Sequence, residues 1–156
     1  MPQGARPAQT QTPRPLDGAT IGGVDPTHPV APRAATGGHE ISALYDTAHG
    51  ASLAVVFPAW MKFVYKHDVK RFVQFATRVW GVDPTGKDEE AVALEGIERM
   101  QAFFVSIGMP KTLQEAGGKV EDIAKLASSI VNGQTGKFVH LLPPQVEEIL
   151  KIAAGV

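Results

Sequence analysis

From His39 to the C-terminus, apolar side chains recur every three or four residues, and no stretch alternates apolar with polar. That spacing is the stripe of an amphipathic α-helix; a half-buried strand would repeat every two residues. The pattern predicts helices over 39–46, 49–66, 68–80, 88–107 and 120–131, and a last one opened by Pro143 or Pro144. Leu53, Phe57, Trp60 and Val64 share one face of the second helix, where Pro58 removes a backbone donor and predicts a kink. The third carries Val69, Phe72, Val73, Ala76, Val79 and Trp80, with Gly81 as its stop. Ala93, Ile97, Met100, Phe104 and Ile107 line the fourth, which Gly108 and Pro110 end. Thr112 is placed to cap a single turn over 112–117. Val120, Ile123, Ala124, Ala127, Ile130 and Val131 mark the fifth helix, and Val146, Ile149, Leu150 and Ala153 the last. The fold class is all-α, bundle-like, without an internal repeat.

The first 36 residues are different. They hold seven of the twelve prolines and few bulky apolar side chains, and they show neither helical nor strand periodicity. Such a segment buries too little surface to offset its ordering entropy, so a disordered Pro/Gly-rich tail is expected over 1–36, ahead of a domain over 37–156. The 44% hydrophobic and 20% charged content fits a globular chain, and 156 residues suffice for one core. A net charge of -1 gives no electrostatic case for nucleic acid or an anionic membrane. The absence of cysteine excludes disulfides and thiolate metal sites and suits the cytoplasm. No secretory signal is visible at the N-terminus. The longest apolar run, nine residues over 53–61 with Pro58 inside it, is too short to cross a bilayer.

The candidate chemistry lies in His39-Glu-Ile-Ser-Ala-Leu-Tyr-Asp-Thr-Ala-His49-Gly50. Histidine is the commonest metal ligand, and here two of only five stand ten residues apart. A zinc-type HExxH motif fails, because residue 43 is Ala43. On one straight helix His39 and His49 would point about 80° apart. They share a site only if the chain bends at 46–48; otherwise they are polar residues at helix ends. His67, among Lys66, Lys70 and Arg71, reads as part of a solvated basic face. His140 reads as a loop or helix-start residue, and His28 falls in the tail. Phe72, Phe75, Trp80, Phe103 and Phe104 read as core. Gly22-Gly23 and Gly117-Gly118 lack the spacing of a phosphate-binding loop.

Over roughly residues 37–156 the chain resembles the C-terminal helical domain of the iron-containing alcohol dehydrogenases, the butanol dehydrogenase branch above all. The resemblance rests on HEISALYDTAHG and the helices after it, on EGIERMQAFFVSIGMPKTLQEAG, and on LPPQVEEILKIAAG at the end. It implies the dehydroquinate synthase-like fold, in which an α/β domain binds NAD or NADP and a helical domain holds divalent iron or zinc in the cleft. That metal acts as a Lewis acid on the alcohol or carbonyl oxygen during hydride exchange. The family's ligands are an aspartate and three histidines. By resemblance His49 matches the last metal histidine, and His39 a histidine lining the site near nicotinamide and substrate. The other local ligand should stand one helical turn before His39, where this chain has Ala35.

One imidazole does not hold such a metal against water, since protein sites use three or more ligands. The resemblance therefore implies a partial enzyme for small alcohols and aldehydes, inactive as this chain alone. The alternative is a non-catalytic helical module that docks on a partner chain, or dimerises, through exposed apolar helix faces. The abrupt change of composition before Gly37 is also what a shifted reading frame or a misplaced start would produce.

Overall fold

The structure, a computed structural model, describes residues 40–130, 139 and 141–156. All regular secondary structure among the described residues is helical, with no strand among them. Helix α1 covers residues 40–45, α2 His49–Val64, α3 Val69–Trp80, α4 Glu89–Ser106, α5 Ile123–Ile130 and α6 Pro143–Ala154. Short 3₁₀ turns at Tyr65–Asp68 and Val120–Asp122 lead into α3 and α5. The all-α expectation holds. The tail expectation for residues 1–36 lies outside the described residues, as do those for His28, His39, His140 and Val131.

Helix α2 is the central element. Ser52, Ala54, Val55, Val56, Pro58, Ala59, Trp60, Met61 and Val64 are all buried, so it is covered on nearly every side. It packs against α4 and α6, and α6 packs on α5. Leu53 and Phe57, expected on its inner face, are only half-buried. The helix runs through Pro58 without interruption. Packing on both flanks outweighs the one backbone hydrogen bond that proline cannot make. It ends two residues earlier than expected, where the chain tightens into the first 3₁₀ turn.

The helix ends follow local chemistry. Asp68 and Asp88 accept hydrogen bonds from the amides of Arg71 (3.3 Å) and Ala91 (2.7 Å), capping α3 and α4. Both stand outside their helices rather than at the first helical position. Gly81 takes φ 62° and lets the Val82 amide return to the Ala76 carbonyl at 3.0 Å. Thr112 caps its turn as expected, accepting from the Glu115 amide at 3.3 Å.

The expected inner stripes fail at their margins. Val79, Phe103, Ile107 and Val120 are 49%, 47%, 54% and 42% exposed, and Ala124 is exposed. Phe104 and Trp80 are half-buried. The apolar repeat continues along α4 beyond the point where another described element covers it. In α5 the buried residues are Ile123, Leu126 and Ala127.

Candidate functional site

The bend needed between the two histidines exists. Helix α1 stops at residue 45, Asp46 turns with φ 51°, and α2 starts at His49. A positive φ is uncommon outside glycine, and aspartate tolerates it better than most residues. Ala48 precedes the helix at φ -53° and ψ 132°, and its carbonyl accepts from the amides of Ala51 (2.9 Å) and Ser52 (3.1 Å). His49 is thereby set on the first turn of α2, exposed. His67 is exposed beside Lys66, which pairs with Glu90 at 3.4 Å, as the basic-face reading expects.

Contacts far apart in sequence hold this turn. The Ser42 and Ser52 hydroxyls meet at 2.9 Å and join α1 to α2; Ser52 is fully buried. Thr47 Oγ1 donates to the Ala116 carbonyl at 2.6 Å. Tyr45 donates its phenol proton to Asp122 Oδ2 at 2.7 Å and accepts from the Lys119 amide at 3.3 Å. Burial, and then the bond to Asp122, raise the Tyr45 pKa above 10.0, so the phenol is neutral at physiological pH. The segment over 113–118 is anchored in turn at the end of α6. The Leu113 amide donates to the Ala153 carbonyl at 2.9 Å, and Gln114 Nε2 to the Ala154 carbonyl at 3.1 Å. Both carbonyls belong to the last helical turn and need outside donors. A Cβ on Gly118 would fall 2.7 Å from Cγ of the fully buried Leu113 and 3.0 Å from its carbonyl oxygen.

No motif singled out Tyr45, Thr47 or Asp122. The only available signal was the position of the first two inside the twelve-residue block. Among the described residues no three histidines, cysteines or carboxylates stand close enough to hold a metal ion. His49 alone does not fit a resident iron or zinc. A cleft of about 230 Å³ between α1 and α5 is lined, among the described residues, by Glu40, Lys125, Ser129 and the apolar Ala43, Leu44 and Leu126. No helix among the described residues is long and apolar enough to cross a membrane.

Comparison with known proteins matches residues 36–154 to the Fe-containing alcohol dehydrogenase family, C-terminal part. A probable NADH-dependent butanol dehydrogenase 1 of Bacillus subtilis is 38% identical over 114 residues, 72% of this chain and 30% of that protein. NADH-dependent butanol dehydrogenase A of Clostridium acetobutylicum is 35% identical over 115 residues, 73% of this chain and 29% of its own length. The crystal structure of NADH-dependent butanol dehydrogenase A from Thermotoga maritima superposes with a TM-score of 0.71 at 39% identity, covering 78% of this chain and 32% of that one. The chain thus spans about 30% of the length of the relatives it matches. With the helical architecture, the 46–48 bend and the match across residues 36–154 in agreement, this chain belongs to the iron-containing alcohol dehydrogenase family, whose C-terminal helical part it carries.

Proposed function

We propose that this chain supplies the helical part of a metal-dependent, NAD(P)-linked alcohol dehydrogenase that interconverts small alcohols with aldehydes or ketones. What supports the reading is one coincidence. The family match spans the 39–50 block, and the bend in that block sets His49 on the first turn of α2. In this reading His49 is one ligand of a divalent iron or zinc, and His39 lines the site beside nicotinamide and substrate. Residues 37–156 act as one domain, a boundary supported by the start of the match at residue 36. The cysteine-free sequence favours the cytoplasm. The remaining ligands and the cofactor-binding part are supplied by sequence outside the matched 30% of the relatives. The 156-residue chain alone therefore does not oxidise butanol with NAD or NADP.

The test is a chimera in which residues 36–154 of this chain replace the matching part of the Bacillus subtilis relative. Butanol-dependent NADH formation is expected in the chimera and absent from the isolated chain. His49→Ala in the chimera should lower both bound metal and activity, activity by about 100-fold or more, as loss of a ligand from a three- or four-ligand site would. A folded chimera without activity, or one indifferent to His49→Ala, overturns the reading.

The exposed Phe103 and Ile107 near the end of α4 favour a second reading, in which a further copy of the chain covers this apolar face. Size-exclusion chromatography over a range of concentrations decides it. A monomer throughout would dismiss self-association.

A further inference from the structure

The α1–α2 turn is held by contacts 69 to 77 residues later in the chain. Tyr45 closes α1, three residues before Ala48, whose carbonyl starts α2. Its hydroxyl sits between two partners, donating to Asp122 and accepting from the Lys119 amide, so both capacities of the phenol oxygen are used. Thr47, two residues on, is held by the Ala116 carbonyl at 2.6 Å. Ala116 lies on the 113–118 segment that the Leu113 and Gln114 donors fasten to α6, and Lys119 and Asp122 follow directly on it. The turn thus has a left-handed Asp46 inside it and a fixed anchor on each side of that residue. Backbone in a sparsely populated conformation persists only where its surroundings over-determine it.

We propose that Tyr45 and Asp122, with Thr47 and the Ala116 carbonyl, form a positioning device that sets the angle between α1 and α2 and so the direction in which His49 is presented. This rests on the reading of His49 as the metal-site histidine only for its purpose; the mechanical claim concerns the turn itself. Tyr45 touches no reacting atom in this account. It acts through the 46–48 backbone.

The physical expectation is specific. A phenol-to-carboxylate hydrogen bond is charge-assisted and stronger than a neutral one. Its loss frees a turn that its own backbone preferences disfavour. The Ala51 and Ser52 amides, both bonded to the Ala48 carbonyl, report that freedom directly. Tyr65 provides the control, because its hydroxyl reaches Glu90 at 3.3 Å, away from the turn.

The experiment is NMR of the 156-residue chain without metal or alcohol, with the His49 ring signals assigned by their loss in His49→Gln. Tyr45→Phe and Asp122→Asn should each move the His49 ring signals and accelerate exchange at Ala51 and Ser52 by about ten-fold. The double variant should go no further than either single one, because both remove the same bond. Tyr65→Phe should change neither readout. Should Tyr45→Phe fail to fold, Asp122→Asn and Thr47→Val carry the same test with the ring in place. His49 signals unchanged in folded variants, or moved equally by Tyr65→Phe, overturn the proposal. Since no metal or turnover enters the measurement, an inactive chimera would refute the dehydrogenase reading and leave this result standing.

Discussion

At the residue scale, two positions show how differently a left-handed backbone can be met. Gly81 ends α3 at φ 62°, with open space around the place a Cβ would occupy. Its requirement is purely conformational, and an L-residue pays the left-handed cost there in full. Gly81→Ala should destabilise the chain by about 1 kcal/mol, read as a lower urea midpoint with unchanged slope. An unchanged midpoint would show that α3 can end another way. Asp46 takes the same region at φ 51° without being glycine, and its neighbours hold it there. Gly81 as a stop was legible, since glycine after a run of apolar helical spacing has one common meaning. His49 was legible as a candidate from its type and its company. Tyr45 was not, because its partner lies 77 residues away and no local pattern encodes that distance.

At the element scale, the contact between α3 and α4 is decided by two small residues. A Cβ on Gly96 would lie 2.4 Å from the Ala76 Cβ and 2.6 Å from its Cα, closer than any real contact. Backbone lies behind the clash, so no side chain can swing away to relieve it. Gly96→Ala should gain a little helix propensity and lose more to overpacking, a net destabilisation of roughly 1–3 kcal/mol in a urea melt. A stabilised variant would mean that the two helices can separate at no cost. In sequence Gly96 reads as a weak point inside α4, and only the neighbouring helix reveals its use. The length of α2 was overestimated for a related reason. Tyr65 and Lys66 continue the apolar and charged pattern, but both turn toward Glu90 in a 3₁₀ turn.

At the scale of the whole molecule, one core joins α1 to α6, from Ile41 to Ala154, while Phe103 and Ile107 remain outside it. The charged surface contributes through small clusters. Glu95 pairs with Lys87 and with Arg99 at 2.7 Å. The Lys87 contact foremost, and Arg99 after it, hold its carboxyl below the ordinary 4.5. The folded state therefore releases the Glu95 proton more readily than the unfolded chain. Its contribution is present above about pH 4.5 and is lost as pH falls through the lower folded value. Glu95→Gln should flatten the acid limb of a melting-temperature profile from about pH 3 to pH 7, an effect that added salt suppresses in the parent chain. Identical acid limbs would assign no role to the cluster. Helix class, the stop of α3 at Gly81, the buried face of α6 and the candidacy of His49 were determined by the sequence itself, because periodicity, capping and residue type act over a few neighbouring positions. The all-round burial of α2, the end of cover along α4, the Gly96–Ala76 approach and the clamp on the α1–α2 turn were decided by the tertiary structure alone. Each depends on which distant surfaces meet, and a one-dimensional pattern carries the amphipathic face of a helix without naming the partner that covers it.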